Sequence, residues 1–328
     1  VKNIKYSIIV PVFNEEEVIK KTYQRLTSVM NSTNAPYELL FINDGSKDTT
    51  EEILVELGRN DKKVKLINFS RNFGHQVAIS AGMDYAQGEA VVIIDADLQD
   101  PPELILDMID KWMEGYDVIY AKRLSRKGES FFKKQSASLF YRTLRFMTDI
   151  DIPLDTGDFR LMDRKVVGEM KGLREKNRFV RGMASWVGFR QIAIEYERDA
   201  RAAGETKYPL KRMLKLSMDG ITSFSYKPLK LASYAGAFLA IAGLIYMFYV
   251  CYLKIFTDAT VPGWSSLIII QLFFSSFVLV LLGIMGEYIG RIYDETKNRP
   301  LYIVRDYYGL EERNNLRRNN PVPITLKK

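Results

Sequence analysis

The first part of the chain alternates two hydrophobic periods. Apolar runs rich in β-branched residues occur at Tyr6–Val12, Tyr37–Ile42, Val64–Phe69, Ala90–Ile94 and Val118–Tyr120, and each predicts a strand. Between them Glu15–Met30, Thr49–Leu57, His75–Ala86 and Pro102–Gly115 carry helical spacing. Pro102 stands near a helix start, where a missing N–H costs little. This alternation predicts an α/β domain, a mostly parallel sheet with helices on both faces. Ligands of such sheets bind beyond the carboxyl ends of the strands.

The pattern changes after residue 225. Leu231–Leu253 and Ala259–Gly286 contain no Asp, Glu, Lys or Arg. Each reaches the roughly 20 residues needed to cross a bilayer core. The intervening loop holds only Lys254 and Asp258, whereas Arg201, Lys207, Lys211, Arg212, Lys215, Lys227 and Lys230 precede the first run and Arg291, Lys297, Arg299 and Arg305 follow the second. The positive-inside rule then puts both flanks in the cytoplasm. In Tyr208–Tyr226 the residues Leu210, Met213, Leu214, Met218 and Ile221 recur at helical spacing among Lys211, Arg212 and Lys215. That suits a helix lying at a membrane surface, with a helix packed on the catalytic domain as the alternative. The expected organisation is a cytoplasmic α/β domain over 1–206, an amphipathic helix over 207–228, spans at 229–255 and 264–290, and a cytoplasmic tail over 291–328.

Composition narrows the chemistry. Among 328 residues there is one Cys, Cys251, and one His, His75. An intrachain disulfide, a Cys-based zinc site and a three-His metal site are excluded. Carboxylates, amides and basic side chains must carry any reaction. The +7 net charge is modest, and no nucleic-acid partner is expected. The start of the chain, which includes YSIIVPVFNEEE, lacks the features of a signal peptide, so the catalytic part is expected to stay in the cytosol. No dinucleotide fingerprint, P-loop or internal repeat occurs. His75 reads as opening the helix after Asn72-Phe73-Gly74, and Trp112, Trp186 and Trp264 as core or interface anchors.

Four strand ends carry polar segments on one edge of the predicted sheet. Pro11-Val12-Phe13-Asn14-Glu15-Glu16 follows the first, Asn43-Asp44-Gly45-Ser46-Lys47-Asp48 the second, and Ser70-Arg71-Asn72-Phe73-Gly74-His75 the third. Asp95-Ala96-Asp97-Leu98-Gln99-Asp100 follows the apolar fourth. A D-x-D segment alone is often a solvated turn. At a strand end it offers hard oxygen ligands for a divalent cation that bridges protein and phosphate.

In combination, PVFNEE, NDGSKDTT, SRNFGHQVA and DADLQDPPE resemble the family 2 glycosyltransferases of GT-A (Rossmann-like) fold. TGDFRLMDR and RAAGETKYPLKRM narrow the resemblance to polyprenyl-phosphate glycosyltransferases, the dolichol-phosphate mannose synthases and bacterial undecaprenyl-phosphate glucosyl enzymes. The two-helix C-terminus looks closer to the bacterial type. The resemblance implies that Asp44 holds the nucleobase or ribose, with Pro11, Val12, Glu15 and Ala96 in the donor pocket. Asp95 would contact the nucleotide, Asp97 and Gln99 would bind Mg²⁺ or Mn²⁺, and Asp158 would be the catalytic carboxylate. Arg123, Arg201 and Lys207, joined by Lys134 and Ser138, would bind the acceptor phosphate or the diphosphate.

The implied reaction is inverting transfer of a hexose to a polyprenyl phosphate at the cytoplasmic face of a bacterial inner or plasma membrane. Both termini would be cytoplasmic and the protein multi-pass. UDP-glucose is the favoured donor. GDP-mannose, UDP-GlcNAc and modified arabinose stay open as donors, as does a homo-oligomer. The competing readings are a non-catalytic, membrane-anchored nucleotide-sugar-binding module and a processive polysaccharide synthase. The second is disfavoured by the absence of a Q-x-x-R-W motif and of further spans.

Overall fold

The computed structural model describes residues 4–124, 156–196, 225–256 and 263–310. They fall into two compact units, one containing the α/β fold and residues after 298, the other the two long helices.

The first unit is built on an eight-stranded sheet in the order β7-β5-β6-β4-β1-β2-β3-β8. Strands β1 (Tyr6–Val12), β2 (Tyr37–Asn43), β3 (Val64–Phe69) and β4 (Ala90–Ile93) run parallel. Helices α1 (Ile19–Ser32), α2 (Thr50–Asn60), α3 (His75–Tyr85) and α4 (Leu104–Met113) follow them in turn, and β5 (Val118–Arg123) comes next. These elements lie where the hydrophobic periods place them, apart from frayed ends. Glu15–Val18 stays outside α1, and the helix after Pro102 starts only at Leu104.

The chain passes from β1 outward to β2 and β3, then returns to place β4 on the other side of β1. This reversal is the topological switch point where a crevice opens. Its floor is legible at Pro11. Ile9 accepts from Ile94 on the β4 side and Val12 accepts from Asp44 on the β2 side. Pro11, two residues after Ile9, therefore faces the β4 side beyond the end of that pairing, where no N–H is required.

Three strands are absent from the sequence reading. β6 (Thr156–Asp163) inserts antiparallel between β4 and β5, and β7 (Gln191–Tyr196) joins β5 in parallel. Helices α5 (Arg164–Gly172) and α6 (Val180–Trp186) connect them. Phe159 and Leu161 of β6 enter the main apolar cluster, so Asp158 and Arg160 turn to the opposite face. Trp112 is half-buried and donates to Asp163 at 2.8 Å, whereas Trp186 is 60% exposed and so is not a core residue.

The third is β8 (Val304–Tyr308), which pairs antiparallel with β3 at the sheet edge. The expected tail over 291–328 is therefore not a tail in its 304–308 part. Its partner strand lies so far back in the chain that no local signal marks it. Tyr302 stacks on Phe69 at 5.1 Å and donates to Asp84, and Ser70 donates to the carbonyl of Ile303.

The second unit consists of α7 (Lys227–Phe256) and α8 (Trp264–Thr296), of 30 and 33 residues. At 1.5 Å per residue each exceeds the roughly 30 Å hydrocarbon thickness of a bilayer. Phe238, Ile255, Leu267 and Leu279 are 68–72% exposed, so these are not core helices within this chain. Two apolar helices of this length and exposure suit membrane association. The amphipathic segment expected over 207–228 lies outside the described residues up to Phe224.

Candidate active site

The four polar strand ends form an interlocked floor. The loop after β1 bonds the loop after β2 through Asn14 N–H to Ser46 Oγ (3.0 Å) and Lys47 N–H to Asn14 Oδ1 (2.8 Å). Glu15 N–H donates to Thr50 Oγ1 at 2.9 Å. Asp44 is buried and accepts from the backbone N–H of Phe73 (2.6 Å) and Gly74 (2.9 Å), fixing the turn after β3. Burial pushes its carboxyl up, and those two donors act against it. Gly45, at φ +71°, lies so close to Arg71 and Asn72 that a Cβ would sit 2.7 Å from the Arg71 carbonyl carbon. Gly74, at φ +105°, supplies a second conformation closed to most residues.

The segment after β4 lies at the switch point. Thr22 of α1 donates to the Ala96 carbonyl at 2.7 Å, and Gln99 N–H donates to Asp97 Oδ1 at 3.2 Å. Leu98 is held at φ +55°, a strained setting for a non-glycine residue. Gln99 is buried, yet its Oε1 has no hydrogen-bond partner among the described residues, which leaves a carbonyl oxygen available to a ligand beside Asp97. Among the described residues no group of three His, Cys, Asp or Glu could hold a metal by itself.

Asp158 sits at the centre of a cationic cradle. Its Oδ1 accepts from Arg181 Nε at 2.9 Å. Its Oδ2 accepts from Gln76 Nε2 at 2.9 Å and lies 3.2 Å from His75 Nε2. Gln76 is itself locked, because its Oε1 accepts from Val180 N–H at the start of α6. Buried Arg160 donates to the carbonyls of Asp158 and Gly157. Burial alone would raise the Asp158 carboxyl, but Arg181 and then His75 outweigh it and hold it well below the usual carboxylate range.

His75 also lies 3.5 Å from Asp95 Oδ1. Burial pulls its imidazole down, while Asp95 and then Asp158 pull it up to about 9, so it is a cation at neutral pH. Asp95 is pushed up, by burial first and then by Asp158, Asp100 and Asp97, against the pull of His75. At the rim, Arg123 lies 3.7 Å from Asp100 and donates to Tyr196 OH at 3.2 Å. Tyr196 also contacts Asp100, and its hydroxyl is pushed up to about 12, by burial and then by that carboxylate.

The structure thus brings Pro11, Val12, Glu15, Asp44, Asp95, Ala96, Asp97, Gln99, Arg123 and Asp158 to one edge of the sheet. Lys134, Ser138, Arg201 and Lys207 lie outside the described residues. His75, Gln76, Arg160 and Arg181 were not foreseen in the site. His75 does open α3, but its ring faces the two carboxylates. A signal existed in the adjacent polar pair His75-Gln76 heading a helix whose middle, Ala78–Met83, is buried.

Residues 7–170 match Glycosyl transferase family 2, and residues 227–292 match the GtrB C-terminal hairpin. A Bacillus subtilis (strain 168) chain named uncharacterized glycosyltransferase YkcC is 70% identical over 312 residues, covering 95% of this chain and 97% of that one. The bactoprenol glucosyl transferase of Shigella phage SfII is 42% identical over 92% of this chain and 98% of its own length. The chain belongs to glycosyl transferase family 2. The prophage bactoprenol glucosyl transferase homolog of Escherichia coli (strain K12) is 41% identical, over 92% and 99%. This family 2 member is a glycosyltransferase, and its sheet with helices C-terminal to it is the GT-A-like arrangement expected of one.

Proposed function

We propose that this glycosyltransferase moves glucose, with inversion, from UDP-glucose to a polyprenyl phosphate at the cytoplasmic face of a membrane. The observation that carries the reading is the state of Asp158. Both of its oxygens are engaged, by Arg181, Gln76 and His75, and the carboxyl is held far down. Such a group is a poor proton acceptor. The reaction that suits it is one whose nucleophile arrives without a proton to lose. A phosphate monoester has its second pKa near 6 and is largely a dianion at neutral pH. A sugar hydroxyl would need a base, a role for which Asp158 is poorly suited.

In this reading Asp158 fixes Arg181 and His75 as preorganised cations and steadies positive charge developing on the sugar ring. Pro11, Val12, Glu15 and Ala96 line the donor pocket. Asp44 serves the nucleoside end from a carboxylate steadied by Phe73 and Gly74, each oxygen keeping a second lone pair. Asp95 contacts the nucleotide. Asp97 and Gln99 would hold Mg²⁺ or Mn²⁺; the orphaned Oε1 of Gln99 fits such a role. Two protein oxygens suit a cation that is otherwise coordinated by water and phosphate. When bound, the ion supplies Lewis-acid neutralisation of the diphosphate. Arg123, with Lys134, Ser138, Arg201 and Lys207, meets the acceptor phosphate or the leaving diphosphate.

The membrane helices select the acceptor. A phosphate on a long apolar tail stays at headgroup depth, and an enzyme that uses it must work there. The chain leaves the catalytic unit into α7 and comes back to it in β8. This connectivity supports two spans with both flanks on one side, and the basic flanks support the cytoplasmic side. Relatives named bactoprenol glucosyl transferase match across both the catalytic region and the hairpin, which favours glucose and a polyprenyl acceptor.

The test offers membranes containing the protein a panel of labelled nucleotide sugars with Mg²⁺ or Mn²⁺. Label from UDP-glucose should enter the polyprenyl-phosphate fraction. Label from GDP-mannose or UDP-GlcNAc instead would overturn the donor, and label in no lipid would overturn the acceptor.

A further inference from the structure

We infer that Asp306, on the strand that follows the membrane hairpin, is a positioning residue for the nucleotide end of the donor site. The inference rests on the proposed donor pocket and deepens it. Two buried amides, Asn68 and Asn43, and then the exposed Asn14 link β8 to the loops of that pocket. Asp306 Oδ1 accepts from Asn68 Nδ2 at 2.5 Å. Asn68 Oδ1 accepts from Asn43 Nδ2 at 2.9 Å, and Asn43 Oδ1 accepts from Ser46 N–H at 3.0 Å. Ser46 Oγ then accepts from Asn14 N–H at 3.0 Å, and Asn14 Oδ1 accepts from Lys47 N–H at 2.8 Å. Asn43 and Asn68 are 1% and 2% exposed.

An asparagine amide has two faces, and only a fixed partner decides which one points where. Asp306 can only accept, so it forces Asn68 to present its Nδ2 to β8 and its Oδ1 to Asn43. Asn43 must then present Nδ2 to Asn68 and Oδ1 to the Ser46 N–H. The Ser46 N–H, which can only donate, asks for the same orientation from the loop end, so Asp306 and Ser46 together hold both amides and with them the loops after β1 and β2. Asp306 is itself held by Arg305, which also pairs with Glu51 of α2, and Glu51 Oε1 accepts from Asn68 Nδ2 at 3.3 Å. The longer Glu51 contact is the weaker of the two acceptors on Asn68. None of these residues reaches Asp158, so the chemistry at the sugar is left alone.

The experiment uses the full chain in membranes or detergent with UDP-glucose as donor and measures donor KM, acceptor KM and kcat separately. Asp306→Ala should raise donor KM by about fivefold to tenfold, the size of one lost hydrogen bond, with kcat and acceptor KM within about twofold of wild type. Asp306→Asn keeps an acceptor oxygen and should restore most of the donor KM. Tyr308→Leu separates positioning from mere loss of the strand, because the Tyr308 ring packs on Gly58 and Tyr308 is not itself a residue of the amide line. It should lower melting temperature without moving donor KM. Overturning results are an unchanged donor KM in Asp306→Ala, an equal fall in kcat, or the same KM rise in Tyr308→Leu. A wild-type protein that transfers no sugar from any donor would instead sink the proposed function itself.

Discussion

Replacing Asp158 with Asn keeps the shape of the side chain and removes its charge. In the wild type the carboxylate is 5% exposed and accepts from Arg181, Gln76 and His75. Asn offers one acceptor oxygen. If that oxygen keeps Arg181, the amide NH₂ faces the donors of Gln76 and His75. Breaking a buried ion pair on one side costs about 3–5 kcal/mol. Arg181 is 27% exposed and can recover some hydration, so about 2–3 kcal/mol of stability should be lost. The cradle also loses its preorganisation, and kcat should fall about a hundredfold with donor KM little changed. Labelled transfer into lipid and thermal unfolding of the solubilised protein measure the two effects. The pH dependence adds a check. A carboxyl held below its unfolded value contributes stability above about pH 4 and loses it as pH falls through the folded value. The gap between wild type and variant should therefore be full at neutral pH and narrow in acid. Near-normal turnover with an unchanged melting temperature would refute the electrostatic role of the carboxylate.

Three further outcomes follow from the same geometry. His75 is raised to about 9, so its stabilising contribution is complete below about pH 6.5 and lost as pH climbs through 9. His75→Gln should flatten the alkaline fall of the melting temperature between those limits, and a fall of wild-type size in the variant would contradict the charged-histidine cradle. Chelation should abolish transfer, with Mg²⁺ or Mn²⁺ restoring it. Gln99→Ala should raise the metal concentration required by about tenfold or more, and an unchanged requirement would remove Gln99 from the metal site. Gly45→Ala puts a Cβ 2.7 Å from the Arg71 backbone at φ +71° and should cost about 2 kcal/mol or more, read as a lower melting temperature; a neutral effect would mean that the two turns are not packed as described.

The sequence is most readable where structure is local. β1 to β4 and their helices carry the period of the element that they form, even though β4 pairs with the distant β1. β6 is different, because Gly157, Asp158 and Arg160 break the apolar pattern and the strand is placed by pairing with β4. Those interruptions are themselves the site, which is why Asp158 was reached only through family resemblance. His75, Gln76 and Arg181 converge on it from α3 and α6, across separations of 83, 82 and 23 residues that no periodicity encodes. β8 is a five-residue strand containing Arg305 and Asp306, and its polar character reads as tail until β3 is there to accept it.

That late strand has a consequence for biosynthesis. Asp306 and Asn68 are separated by 238 residues. At about 5–20 residues per second, a ribosome needs on the order of tens of seconds between finishing β3 and finishing β8. Throughout that interval Val64–Phe69 is a bare sheet margin, with unpaired backbone groups of the kind that recruit a neighbouring chain. Both hydrophobic helices emerge before the strand that closes the margin, so the sheet is still unfinished when they are complete. A gene cut before the hairpin would yield a domain that keeps β3 as a bare margin, so low solubility of such a product would have a cause in the sheet itself.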